Sequence, residues 1–125
     1  MYDDLLKDLK PHDYYFAISN IAEWQSLDED FFLKEHVEKR IPMRLETKLL
    51  FVDSAIAQER KKTERNFSEE VKLLPKETDM HVDLVVTPYK LVMFQLKLPL
   101  MAIVIENHSM VEMHKSLFEL LWEKY

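Results

Sequence analysis

Apolar and polar residues change period several times along this chain, and the changes divide it into short elements. From Asp13 to Ser19 (DYYFAIS), aromatic and aliphatic residues crowd together in the composition of a strand. From Arg44 to Val52 the sequence alternates well, with Leu45, Thr47, Leu49 and Phe51 on one face. That period of two predicts a second strand. Val71–Leu74 predicts a short third strand closed by Pro75. His81–Val86 and Lys90–Leu96 read as a hairpin around Thr87-Pro88-Tyr89. Proline suits the second position of a type I turn, because its φ is already held at roughly −65°. Leu100–Ile105 is an almost unbroken apolar run, the pattern of a strand covered on both faces.

The remaining segments carry helical signals. Asp3–Lys10 reads as a short helix ending before Pro11, and Asn20 as a turn or cap after the first strand. Asp28 is placed to cap a helix running to about Arg40, with Phe31 and Phe32 on its buried side and Pro42 stopping it. Asp53 or Ser54 caps a helix from Ala55 to about Arg65. Its charged second half, ERKKTER, is expected to form a solvated face. Ser109-x-x-Glu112 fits a capping box for the closing helix. Met110, Val111, Leu117, Phe118, Leu121, Trp122 and Tyr125 form a wide apolar stripe along it, expected to pack on the sheet. The order (α)βαβαβββα predicts an α/β (α+β) fold, a mixed sheet flanked by helices, in one domain over residues 1–125.

Composition narrows the function classes. A chain of 125 residues with 47% hydrophobic content can bury one core. The formal net charge of -6 disfavours binding nucleic acid through charge. With no cysteine, disulfides, thiol catalysis and Cys-based zinc sites are excluded. With no glycine, phosphate-cradling P-loops and dinucleotide loops are excluded, and turns are expected to fall to Pro, Asn and Asp. No apolar run approaches a membrane span, and the acidic start MYDDLLKDLK is not a signal peptide. A cytoplasmic protein without membrane contact is expected.

The candidate chemistry is sparse. Asp79, His81 and Asp83 alternate, and on one strand they would point the same way, as a metal site or an acid–base pair does. No further ligands follow at fixed spacing, so the plainer reading is a solvent face, and no metal or cofactor is expected. Glu106, His108 and His114 gather at the start of the last helix, with His114 expected to be partly buried. Glu69 and Glu70 are expected to be solvated. No nucleophile elbow, zinc-protease motif or activated serine is present, so no enzyme is expected. Trp24 follows the first strand in a loop-like stretch, where α/β sheets place ligands beyond their strand ends.

The segments DYYFAISNIAEW, EHVEKRIPMRLETKLLFVDS, VKLLP, TPYKLVMFQ and MAIVIENHSMVEMHKSLFELLWEKY follow one another over nearly the whole chain. In that order they resemble the C-terminal, phospholipase-D-like part of TrmB-family transcriptional regulators. These are prokaryotic proteins that join such a domain to an N-terminal winged-helix DNA-binding domain. Phospholipase-D enzymes use a histidine, a lysine two residues on and an aspartate five further on. Here His81 is followed by Asp83 and then Pro88 at those positions, so the resemblance implies the fold without the phosphodiesterase activity. It implies an effector-sensing and dimerisation domain that forms a homodimer, takes a small effector such as a sugar near its strand ends, and meets DNA only through the missing N-terminal domain. On that reading the chain is a fragment, with Met1 introduced where an upstream helix was cut. Trp24, His81, Asp83 and Gln95 are the candidate ligand-binding residues. A purely structural dimerisation scaffold, a free-standing ligand-binding module, and a residual metal-dependent hydrolase built on Asp79, His81 and Asp83 are the alternatives.

Overall fold

The structure is a computed structural model that describes residues 6–25, 40–95, 99 and 101–125. The helix expected over 28–40 lies outside the described residues except at its end, and so does the side chain of Trp24. Among the described residues, six strands form one sheet: β1 (Tyr14–Ser19), β2 (Glu46–Val52), β3 (Glu70–Leu74), β4 (Val82–Val86), β5 (Leu91–Gln95) and β6 (Met101–Ile105). Their order is β3-β2-β1-β4-β5-β6. The first three strands are parallel neighbours, and β1–β4, β4–β5 and β5–β6 are antiparallel. The helices are α1 (Ile21–Gln25), α2 (Ala55–Lys62) and α3 (His108–Lys124), joined by 3-10 turns at Ile41–Met43 and Glu64–Phe67. The expected mixed α/β class is therefore the class observed.

Period two puts two different cores on the two faces of the sheet. Leu45, Leu49 and Phe51 of the second strand region join Tyr15, Ala17, Val71, Val85 and Ile21 in one layer, under α1 and α2. Leu50 and Val52 join Phe16, Val86 and Leu91 in the other, under Val111 and Phe118 of α3. Helices on both faces bury β1 and β2 on both sides, which is why these central strands read as crowded apolar runs.

Five expectations are corrected. The run ending at Ile105 is not covered on both faces: β6 is the sheet edge, and Met101, Ile103 and Val104 are 50%, 46% and 52% exposed. The stripe on α3 splits: Val111, Phe118 and the half-buried Trp122 pack on the sheet, whereas Met110, Leu117, Leu121 and Tyr125 are exposed. Asn107, not Ser109, caps this helix, its Oδ1 accepting from the Met110 amide at 3.0 Å. The ERKKTER run is not a uniform solvated face, because Arg60 is buried. Glu69 is buried with it, while Glu70 is exposed. In the absence of glycine, left-handed turn positions among the described residues fall to His12, Arg44 and Ser68, at φ of 72°, 53° and 53°. A side chain with a Cβ pays for that region, at roughly 1–2 kcal/mol per residue. The helix beginning at Ala55 does have its expected cap: Ser54 Oγ accepts from the Ala57 amide at 3.2 Å.

Candidate functional site

The carboxyl ends of β1, β2 and β3 lie together, as they must in parallel strands. Antiparallel pairing brings the start of β4 and the end of β5 to the same end of the sheet. Ser19, Asn20, α1, Asp79–Asp83 and Gln95 therefore gather there, and the position of Trp24 is within α1 rather than in a loop. This is where open α/β sheets offer a crevice.

Two polar groups occupy this end. In the first, Asp83 is buried and accepts from Ser19 Oγ at 2.7 Å and from the Asn20 amide at 3.2 Å. Asn20 Nδ2 in turn donates to the Met80 carbonyl at 3.2 Å. These bonds satisfy a carboxylate that burial would otherwise penalise, and they tie β1 to the segment entering β4. In the second group, His81 is 46% exposed and stands between two carboxylates. Its Nδ1 is 2.5 Å from Glu23 Oε1, and its Nε2 is 3.0 Å from Asp79 Oδ1. Both contacts become hydrogen bonds when both ring nitrogens carry a proton.

His81 and Asp83 thus reach one end of the sheet, but in different roles. The trio Asp79, His81 and Asp83 does not alternate along one strand, because β4 begins at Val82. Among the described residues no group of three or more His, Asp or Glu side chains could hold a metal ion. Gln95 shares a register pair with Val82, on the sheet face opposite Asp83, and its Nε2 donates to the Pro99 carbonyl at 2.9 Å. It braces the connection into β6. Sequence reasoning missed Glu23 and Ser19, whose partners lie some sixty residues away along the chain. The one signal for Ser19 was its place as the last residue of a strand, just before the expected turn at Asn20.

A second polar cluster was not foreseen. Glu69, with a side chain 0% exposed, accepts from Arg40 and from Arg60, each at 2.6 Å. The Arg40 guanidinium also lies 4.8 Å from the centre of the Tyr15 ring. Burial pushes the Tyr15 phenol up to about 12, against the opposing pull of Arg40. Burial likewise lowers Arg60 from its ordinary value, with Glu69 opposing. One open cleft of about 330 Å³ borders this cluster at Thr47, Arg65 and Glu69. Another, of about 410 Å³, lies over Gln58, Lys61 and Leu73. Neither includes His81, Asp83 or Gln95.

No protein-family model matches the chain, and no curated protein matches it either. Among solved structures it is similar to TrmBL2, an archaeal chromatin protein whose structure shows a novel mode of DNA binding. The two superpose with a TM-score of 0.66 at 14% sequence identity, over 98% of this chain and 47% of TrmBL2. The likeness is one of fold, and this chain spans about half the length of TrmBL2. No described helix is long and apolar enough to cross a membrane.

Proposed function

We propose that this chain is the effector-sensing and dimerisation domain of a TrmB-like prokaryotic transcriptional regulator, and that it is not catalytic. The observation that carries the reading is the shared fold with about half of TrmBL2, itself a DNA-binding chromatin protein. A chain of net charge -6 is poorly suited to hold DNA by itself, so DNA contact is assigned to a separate winged-helix domain. The phospholipase-D-like activity is set aside on chemical grounds. The lysine position after His81 is occupied by Asp83, a carboxylate already engaged by Ser19 and Asn20.

The effector, a small polar molecule such as a sugar, is assigned to the carboxyl end of the parallel strands. There His81 and Asp79 offer exposed hydrogen-bonding groups, with the half-buried Glu23 behind them, beside α1 and the position of Trp24. Signalling then requires that the effector prefer one of two arrangements of the dimer. A second reading, a dimerisation scaffold with no effector, is favoured by one observation: the apolar flank of α3 lies open.

Calorimetric titration with a panel of sugars and small metabolites separates the two. The sensing reading expects heat with at least one compound, with affinity weakened about tenfold in His81→Ala, as befits the loss of a hydrogen-bonding partner. Absence of binding across the panel leaves the scaffold reading. Hydrolysis of a generic phosphodiester that disappears in His81→Ala would overturn the non-catalytic reading.

A further inference from the structure

α3 crosses one face of the sheet and is held at both ends. It follows β6 through Glu106 and Asn107, and near its start Val111 joins Leu91 of β5 and Val86 of β4 in one core. At the far end Lys72 of β3 donates to the Trp122 carbonyl at 2.7 Å. The ammonium groups of Lys48 and Lys72 lie 5.5 and 4.5 Å from the centre of the Trp122 ring. At roughly 100° per residue, Val111, Phe118 and Trp122 make up the side toward the sheet, and Met113 and Leu120 point directly away from it. These two are the most exposed large apolar side chains among the described residues, at 59% and 66%.

A helix that lies on a sheet is expected to be polar on its outward side. α3 is not, because Met110, Met113, Leu117 and Leu120 stand open along it. With Glu106 just before the helix and Lys124 at its end, they follow one another in steps of 4, 3, 4, 3 and 4 residues. That is the period of 3.5 by which one helix packs along another. It is not the period of two that a docked strand would match. Glu106 and Lys124 are exposed and opposite in charge, one at each end of the ridge.

We infer that the outward ridge of α3 is the joint between two copies of this chain, packed antiparallel on α3 of the second copy, with Glu106 of each copy meeting Lys124 of the other. Charge complementarity selects a second copy as the occupant. A ridge acidic at its start and basic at its end matches its own reverse, as the two-fold axis of an isologous dimer requires. A parallel pair would instead set Glu106 against Glu106 and Lys124 against Lys124. In the antiparallel register that joins the charged ends, Met110 meets Leu120 and Met113 meets Leu117, so every layer between them is apolar. The open parts of this ridge, with the exposed Leu121 and Tyr125 beside it, offer on the order of 600 Å² per copy, which reaches the lower end of specific, stable interfaces. The joint rests on the dimerisation reading above and supplies its geometry: two helices inside, one sheet on either side of them.

Sedimentation equilibrium tests the joint with variants whose sites are open to water and whose circular dichroism is expected to stay native. The unmodified chain is expected to be a dimer. Leu120→Lys, at the most exposed apolar position of the ridge, is expected to weaken dimerisation about a hundredfold. Charge reversal then reads the register. Glu106→Lys alone and Lys124→Glu alone are each expected to weaken the dimer about tenfold, since each sets like charges together at both ends of the joint. The double variant Glu106→Lys/Lys124→Glu restores opposite charges and is expected to recover the original affinity. A monomer at micromolar concentrations would overturn the joint and the dimerisation reading together. A dimer indifferent to Leu120→Lys would overturn the joint alone, as would one weakened by both single reversals but not recovered in the double variant. So would a longer natural chain containing this domain whose association ignores Leu120→Lys, because another segment would then cover the ridge.

Discussion

Among single residues, Glu69 carries the largest structural burden. Two guanidinium groups, themselves nearly buried, converge on its two oxygens, and its side chain has no contact with water. Desolvating such ions costs several kcal/mol each, and their attraction offsets this only while every partner remains. Glu69→Gln keeps the shape and removes the charge, so it leaves two buried cations facing an amide. It is expected to lower stability by about 3–5 kcal/mol, read as a fall in the urea midpoint at constant m-value. A loss under about 1 kcal/mol would mean that this triad behaves as a solvated surface pair. The role of Glu69 was illegible locally, because its partners come from two other segments. Arg60 left a trace: it lies three residues after Ala57 and four after Ile56, on the inward side of α2, where Ala57 is 0% exposed. A charge run carries no information on which of its members points inward. Helical spacing from the nearest apolar residues does.

Secondary-structure elements were most readable where a period or a turn residue marks them. β2 shows its period because Leu45, Thr47, Leu49 and Phe51 all enter one layer. The β4–β5 hairpin shows its turn because Thr87 Oγ1 accepts from the amides of Tyr89 and Lys90, at 3.3 and 3.2 Å, within the expected tripeptide and its neighbour. β6 was misjudged for a physical reason: an unbroken apolar run states that both faces are costly in water, but not which molecule covers them. The start of α3 was misplaced by two residues because Asn107 and Ser109 both suit a cap. Backbone geometry separates them, since Asn107 is extended at φ −139° and ψ 120° and Ser109 is already helical. Asn107→Ala is accordingly expected to cost ~1 kcal/mol, seen as a drop of a few degrees in Tm. Ser109→Ala is expected to be nearly neutral. The reverse ranking would restore the capping box at Ser109.

Over the whole molecule, one sheet separates two cores, and adjacent tyrosines of β1 report on both. Tyr15 faces the layer under α1 and α2. Tyr14 faces the layer under α3, stacked on Phe16 at 4.8 Å with its hydroxyl donating to the Thr87 carbonyl at 3.2 Å. Burial first, and for Tyr14 the nearby carboxylates of Glu112 and Glu119 next, pushes both phenols up to about 12 from an ordinary 10.0. Between those values the unfolded chain has released these protons while the folded chain still holds them. The folded state then binds more protons, so stability falls as pH rises through this window and is fully present below it. For the fully buried Tyr15 the loss across the window approaches 2–3 kcal/mol, at about 1.4 kcal/mol for each pH step of one; the more exposed Tyr14 adds less. Since the two rings lie in opposite layers of one sheet, alkali loosens both layers together and unfolding remains a single transition. The check is a urea series from about pH 9 to about pH 12, run beside tyrosinate absorbance. A falling midpoint, with Tyr14 and Tyr15 titrating last, is the expected result, and Tyr15→Phe should flatten most of the slope. If all five tyrosines ionise together near the ordinary value while the chain stays folded, neither phenol is shielded as the two cores require.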